Sequence, residues 1–462
     1  MFDSSIYSER RKVLSQNIKD GFILLLGNDN VPMNYTSNPY PFVQDSSFLY
    51  YCGLDIPNLN ILINTQENST ILYGSEQSVN DIIWEGKLTT LNECAELSSI
   101  ENIKNDKLLL TDLTDIHSKT ESIHILPQYR TESKNSLENI FGEEWKNFIS
   151  MNLIDAVVRQ RSIKSDIEIT EIKRAMTVTE IMHKLAMMTT TPGRQEEDIV
   201  GELFGVVHSA GLRFAYPTIL TVNGDILHNH SHKNILQNGE LLLHDGGAES
   251  KLHYATDITR TFPVSGKFSQ IQKSIYEIVL KMQEEVIKNL APGINYKDMH
   301  LLSSKVCIEG LKSEGLMKGD TEDALESGAH ALFFPHGLGH MLGLDVHDME
   351  ALGEDYVGYN SETNRESQFG ISYLRLGKKL DSGNVLTVEP GIYFIPALID
   401  QWKEKGKHKE FINYNKVESF RNFGGIRIED DVLISDAGCE ILSETIPKSI
   451  LEIEEIVGSG LS

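Results

Sequence analysis

The chain has 462 residues, room for two or three domains with a sizeable core, and its 40% hydrophobic content is ordinary for a soluble globular protein. A net charge of −25 argues against binding a nucleic-acid backbone. The N-terminal stretch MFDSSIYSERRKVLSQ lacks a signal-like apolar core, no apolar run is long enough for a bilayer span, and Cys52, Cys94, Cys307 and Cys439 show no paired spacing, so a cytoplasmic protein without a disulfide framework is expected.

The pattern predicts an α/β domain over residues 1–158. A polar helix at about 4–18 precedes a strand at Phe22–Leu26, with further strands at Asn60–Asn64, Thr70–Tyr73, Leu108–Leu110 and Ser122–Leu126. Residues 38–57 are rich in aromatics and turn formers, and this half carries no metal or phosphate motif.

A second domain is expected over 159–462. Ser165 and Glu168 form a capping box for a helix running to about Thr190 and stopped by Pro192-Gly193. A helix from Glu196 to Ala210 follows, then strands at 217–222, 240–245 and 257–262, and helices at about 269–290 and 297–314. A weak repeat runs through this region. Pro192-Gly193, Asp198 and Gly211-Leu212 are matched by Pro292-Gly293, Asp298 and Gly315-Leu316. Gly239 lies six residues before Asp245, and Gly383 six before Glu389, each across an apolar run. Two facing α/β halves would bring those carboxylates to their junction.

Four short motifs carry the chemistry. LLLHDGGAESKLHYATDITRTFPVSG holds Asp245 and Asp257, and FFPHGLGHMLGLDVHD holds His340. VLTVEPGIYF holds Glu389, and GGIRIEDDVLI holds Glu429. An ionised carboxylate at the end of an apolar strand must be paired or must ligate a metal. Any one of these acids alone would read as a cap or an ion-pair member; their co-occurrence argues otherwise. His336 and His340 are both candidate ligands at this stage, although Gly337 and Gly339 disfavour a helical zinc pair. Arg427 shares a strand face with Glu429, so it could hold that carboxylate or contact substrate. Four carboxylates and one imidazole suit two divalent ions, manganese foremost with cobalt or zinc as alternatives, rather than a thiolate-rich structural zinc. Two such ions can hold a bridging hydroxide that attacks a polarised carbonyl. No GxSxG or P-loop competes.

In this order, the motifs DITRTFP, HGLGH with LGLDVHD, TVEPGIY and GIRIEDD resemble the pita-bread metallopeptidases. RRKVL at 10–14 and YPFVQDSSFLYYCGL at 40–54 look like the N-terminal domain of aminopeptidase P and the longer prolidases. The resemblance covers nearly the whole chain. It implies an aminopeptidase P-like α/β domain followed by a catalytic pita-bread domain with pseudo-twofold halves. It also implies that Asp245, Asp257, His340, Glu389 and Glu429 are the metal ligands, with Asp257 and Glu429 bridging and Glu389 also moving protons. His228 and His347 match histidines near the scissile bond, and His336 and Arg427 match residues on the proline side. Asp245 and Asp257 are twelve apart where the family usually shows eleven, and the extra residue is expected in the turn within ESKLHYAT.

Arg375, in YLRLGKK, looks like the carboxylate-binding arginine of prolidases, as does the segment 399–425, whereas YPFVQDSSFLYY is typical of aminopeptidase P. The expected activity is a Xaa-Pro aminopeptidase, releasing the first residue of peptides with proline second. A Xaa-Pro dipeptidase is the alternative, and a non-catalytic binding protein or a creatinase-type hydrolase on this fold the more distant ones. The resemblance further implies a homodimer or larger homo-oligomer.

Overall fold

A computed structural model of the chain describes residues 1–119 and 121–461. The chain divides into two compact units, residues 1–161 with 349–356, and residues 162–348 with 357–462. The break at 161 lies slightly past the boundary expected at 158/159, and the short segment 349–356 groups with the first unit instead of the second.

The first unit is built on a five-stranded sheet of order β4-β3-β2-β1-β5: β1 Phe22–Leu26, β2 Asn60–Asn64, β3 Ser69–Gly74, β4 Asn102–Asn105 and β5 Ile123–Ile125. β1–β2 and β2–β3 are antiparallel, while β5 and β4 add in parallel at the two edges. Leu24, Leu62, Tyr73 and Ile125 point into one cluster with Leu109, Leu113 and Leu137. The strand expected at Leu108–Leu110 is a 3-10 turn, Asp106–Leu108, running into the helix Leu109–Ser118. Leu109 and Leu113, four apart, are both buried on that helix, so the period of burial is helical. The unexpected β4 has the polar sequence NIKN, which suits an edge strand and leaves little apolar signal.

The two N-terminal motifs are partners within this unit. Asp45 caps the helix Ser46–Cys52 by accepting from the Phe48 amide at 2.9 Å. Arg10 and Arg11 donate to the carbonyls of Tyr50 and Tyr51 at 3.0 and 2.8 Å, and the Arg10 guanidinium stacks over the Tyr50 ring at 3.8 Å.

The second unit contains β6 Arg213–Phe214, β7 Ile219–Thr221, β8 Leu241–Asp245, β9 Ala248–Glu249 and β10 Thr259–Pro263 in its first part. β11 Val385–Val388, β12 Gly391–Tyr393, β13 Gly425–Arg427, β14 Asp430–Ser435 and β15 Gly438–Ile441 follow in its second. Two three-stranded sheets have the orders β10-β8-β7 and β11-β14-β15. The helix Asp166–Thr189 starts as expected, with the Glu168 carboxylate accepting from the Ser165 amide at 3.0 Å. β8 and β11 are buried along their whole length, and each fully buried leucine or valine stabilises the unit by about 1.5–3 kcal/mol.

The weak sequence repeat is a backbone repeat. Asp166–Thr189 and Glu196–Ser209 form one helix pair, and Gln270–Asn289 and Tyr296–Ser313 form the other. Gly193 and Gly293 turn at φ +89° and +85°, and their amides donate to Leu236 and Leu380 carbonyls at 2.8 and 2.7 Å. Gly239 and Gly383 turn at +88° and +91° before the two acid-bearing strands. The second unit therefore has the expected pseudo-twofold α/β architecture.

Candidate active site

Each half delivers an acid at a strand end. Asp245 closes β8, and its pairing partners are Ile219 of β7 and Thr259 of β10. Glu389 follows β11 directly, and its amide donates to the Leu338 carbonyl at 2.9 Å. The β11–β14 ladder ends at Val388 opposite Asp430, and the β12–β13 ladder begins at Gly391 opposite Arg427. The two ladders share one register, so Glu389 faces Glu429 across the interruption between them. Like charges placed directly opposite one another are destabilising unless something cationic lies between. The halves meet where the Glu429 amide donates to the Thr259 carbonyl at 3.0 Å.

The five expected ligands line one cavity of about 790 Å³. His340 Nε2 lies 3.4 Å from Asp257 Oδ2 and 3.5 Å from Glu389 Oε1. One donor atom each from Asp257, His340 and Glu429 lies within 4.8 Å of the other two. His340 Nδ1 is 3.1 Å from the Met341 carbonyl, which makes that nitrogen an N–H and turns Nε2 toward the acids, where it can donate when protonated or ligate a cation when not. His336, the other candidate ligand, is engaged elsewhere. Its Nδ1 meets the Gly337 carbonyl at 2.8 Å and its Nε2 the Tyr393 hydroxyl at 2.9 Å.

The segment between Asp245 and Asp257 contains a turn at residues 250–253. The His253 amide donates to the Ser250 carbonyl at 2.9 Å, and His253 itself takes φ +69°. The Tyr216 hydroxyl lies between Asp245 Oδ1, at 2.6 Å, and Asp257 Oδ1, so both carboxylates face the same space.

Charge is concentrated here. Burial pushes the Glu389 carboxyl up to about 7, with His340 opposing and Asp257 reinforcing the rise. Burial also raises the Asp245 and Glu429 carboxyls, with Arg427 opposing in both cases. Burial works against protonating His340, yet Asp257 and Glu389 hold its imidazolium up to about 9. Burial, aided by Arg427, pushes His336 down to about 3. Four converging carboxylates facing one arginine and one imidazole are short of positive charge, and an oxygen-rich set of this kind fits hard divalent cations.

Arg427 is bound more widely than its strand position suggested. It donates to Thr259 Oγ1 at 3.0 Å, to the Tyr393 hydroxyl at 3.0 Å and to Asp245 Oδ2. Its link to Glu429 is indirect, through Thr259, whose hydroxyl donates to Glu429 Oε2 at 2.6 Å. His228, His336, His347, Arg375 and Arg427 all line the cavity, and the His347 ring lies 4.2 Å from the His340 ring centroid. Sequence reasoning missed Tyr216, Thr259 and Tyr393. Thr259 and Tyr393 lie inside DITRTFP and TVEPGIY and could have been taken with those motifs, whereas Tyr216 carries no local signal.

Residues 170–436 match the family model of metallopeptidase family M24, and residues 7–125 match that of the aminopeptidase P N-terminal domain. The chain belongs to family M24, among its aminopeptidase P members. A protein of Fusarium vanettenii described as "Probable Xaa-Pro aminopeptidase" is 34% identical over 428 residues, 91% of this chain and 88% of the relative. A Verticillium alfalfae protein of the same description is 32% identical over 98% of this chain and 95% of its own length. Zinc-substituted Escherichia coli aminopeptidase P in complex with product is 26% identical, with a TM-score of 0.81 and full coverage of both chains. Escherichia coli aminopeptidase P with the inhibitor Pro-Leu matches equally well, at 27% identity and TM-score 0.81. This M24 chain thus carries the aminopeptidase P fold from end to end, and no helix among its described residues is long and apolar enough to cross a membrane.

Proposed function

We propose that the chain is a metal-dependent Xaa-Pro aminopeptidase that hydrolyses the bond between an N-terminal residue and a following proline. The observation that carries this reading is the convergence of Asp257, His340 and Glu429 donor atoms within 4.8 Å, in a cavity that Asp245 and Glu389 also line. Those five residues would hold two divalent ions. The donor set supports manganese, with cobalt or zinc as alternatives. When bound, such ions supply Lewis acidity and lower the pKa of water.

The protein's own groups do the rest. Glu389, on the cavity lining beside His340, would take a proton and return it to the leaving proline nitrogen. His347 and His228 line the same cavity and would donate toward the scissile carbonyl. Neutral His336 and the anchored Arg427 would form the wall that meets proline, and Arg375 lines the same cavity. Tyr216 and Thr259 hold carboxylates in orientation.

The curated relatives named as aminopeptidases, matched over nearly the full chain, favour that activity over a dipeptidase. Cleavage of Xaa-Pro and Xaa-Pro-Xaa by manganese-loaded protein, beside a chelator-stripped control, tests the proposal. We expect the tripeptide to be preferred and the stripped protein to be inactive until metal is restored. Preference for the dipeptide would overturn the assignment and give Arg375 the terminal carboxylate. Four cysteines free of disulfides support a reducing, cytoplasmic setting. The helix Val79–Glu85, with Ile83 and Trp84 71% and 80% exposed, supports self-association into a homodimer or larger assembly.

A further inference from the structure

Glu389 and Glu429 face each other at a break between two ladders, where Pro390 offers no amide to the pairing. Across the break the Ile428 amide still donates to the Pro390 carbonyl, at a long 3.3 Å, and a side chain adds to that link. The helix Gln270–Asn289 packs behind them and carries Gln283, a fully buried amide. Gln283 Nε2 donates to the Val388 carbonyl at 3.1 Å and to the Ile428 carbonyl at 3.2 Å. These are the residues immediately before Glu389 and Glu429. One amide nitrogen therefore ties both acid-bearing segments, bridging carbonyls on either side of the Glu389–Glu429 pair.

The other end of that side chain is held too. Gln283 Oε1 accepts from Lys448 Nζ at 3.0 Å, and the same ammonium donates to Asp430 Oδ2 at 2.6 Å. Asp430 Oδ1 accepts from Arg260 at 2.7 Å, and Arg260 also donates to the Glu429 carbonyl at 2.6 Å. The lysine fixes which end of the amide is the oxygen, so the NH₂ group must face the two carbonyls.

We propose that Gln283 is a positioning residue that sets the spacing of Glu389 and Glu429, and through it the affinity of the second divalent ion. The proposal rests on the reading of those glutamates as metal ligands. Residues supporting ligand orientation typically change metal affinity or turnover by about 10- to 100-fold.

The test is a cobalt titration of metal-stripped protein, followed by visible absorption, on the wild type, Gln283→Met and Gln272→Met. Gln272 lies on the same helix, accepts from the Ser269 amide at 2.8 Å and donates to the Gly239 carbonyl at 2.8 Å, away from the acids, so its variant reports the loss of an amide's hydrogen bonds on this helix. In Gln283→Met we expect the first cobalt equivalent to bind as in the wild type and the second about 10-fold or more weakly. Its kcat should fall about 10- to 100-fold with KM within about twofold. Gln272→Met should keep the wild-type titration at a comparable loss of Tm. If Gln283→Met fails to fold, Gln283→Asn takes its place, keeping a polar amide one methylene shorter than the span from Lys448 to both carbonyls, with the same expectation. A folded variant with two wild-type cobalt equivalents and wild-type kcat overturns the role of Gln283 and leaves the site reading standing. A wild type that binds no second equivalent overturns the site reading, and the proposal with it.

Discussion

The two halves of the second unit repeat one backbone and divide the chemistry between them. In the first, Asp245 ends its strand already clamped, by the Arg427 guanidinium and the Tyr216 hydroxyl. In the second, Glu389 ends the matching strand with longer contacts, to the Thr387 hydroxyl and His340 Nε2 at 3.5 Å each, and burial raises its carboxyl. A clamped carboxylate holds a position, and a loosely held one near neutrality can exchange a proton. Duplicated geometry thus yields one tightly clamped acid and one more loosely held acid, and the difference lies in neighbours rather than in backbone.

Glu389→Ala should separate the two roles most sharply. We expect turnover to fall by about 10³-fold or more, with Tm within a few degrees of wild type, because the strand before it remains fully paired. Retention of near-wild-type activity would remove Glu389 from the mechanism.

Arg260→Met addresses the seam between the halves. Arg260 is fully buried on a first-half strand and bonds Asp430 and the Glu429 carbonyl of the second. Removing one partner of a buried pair costs about 3–5 kcal/mol, with the remaining Lys448–Asp430 contact placing the loss toward the lower end. Denaturant unfolding measures it, and a loss under about 1 kcal/mol would mean that the halves do not depend on this pair.

Acid sensitivity should be shared. Each half buries a histidine pair, His183 with His244 and His300 with His330. Burial pushes His183 and His300 down to about 3, His330 to about 4, and His244 well below the usual range. Their folded values lie below the unfolded value of about 6.5, so below that pH the unfolded chain binds more protons. Their contribution to stability is therefore complete above about pH 6.5 and declines as pH falls toward the folded values. The slope is on the order of 1 kcal/mol per pH unit per histidine. His183→Gln and His300→Gln should each flatten the stability–pH curve by a similar amount. A curve unchanged by either substitution would contradict neutral burial.

The smallest effect tests the repeat itself. Gly193 and Gly293 have matching positive φ angles, and an added Cβ at either would meet open space. Gly193→Ala and Gly293→Ala should each lose about 1 kcal/mol from backbone strain alone. Clearly unequal losses would show that the two turns are not energetically equivalent.

Much of this was legible along the chain because the signals are local. The apolar runs at Phe22–Leu26 and Asn60–Asn64 fall where the strands are, and Ser165 with Glu168 marks a helix start. Paired glycines at fixed distances from Asp245 and Glu389 disclosed the repeat, since positive φ leaves few choices of residue. The misreadings have equally local causes. Leu108–Leu110 is too short to distinguish period two from period 3.6, and β4 is a polar edge strand.

What the sequence determined by itself was the family, the twofold plan and the acids and histidine that line the cavity, because residue type, spacing and turn chemistry are written in chain order. Tertiary structure decided which groups meet. Arg427 was read as a neighbour of Glu429 and instead grips Asp245, 182 positions away along the chain. Tyr216 and Gln283 reach the carboxylates or their strands from segments with no motif of their own. Hydrogen bonds between distant segments depend on how sheets and helices pack, and no one-dimensional pattern encodes that packing.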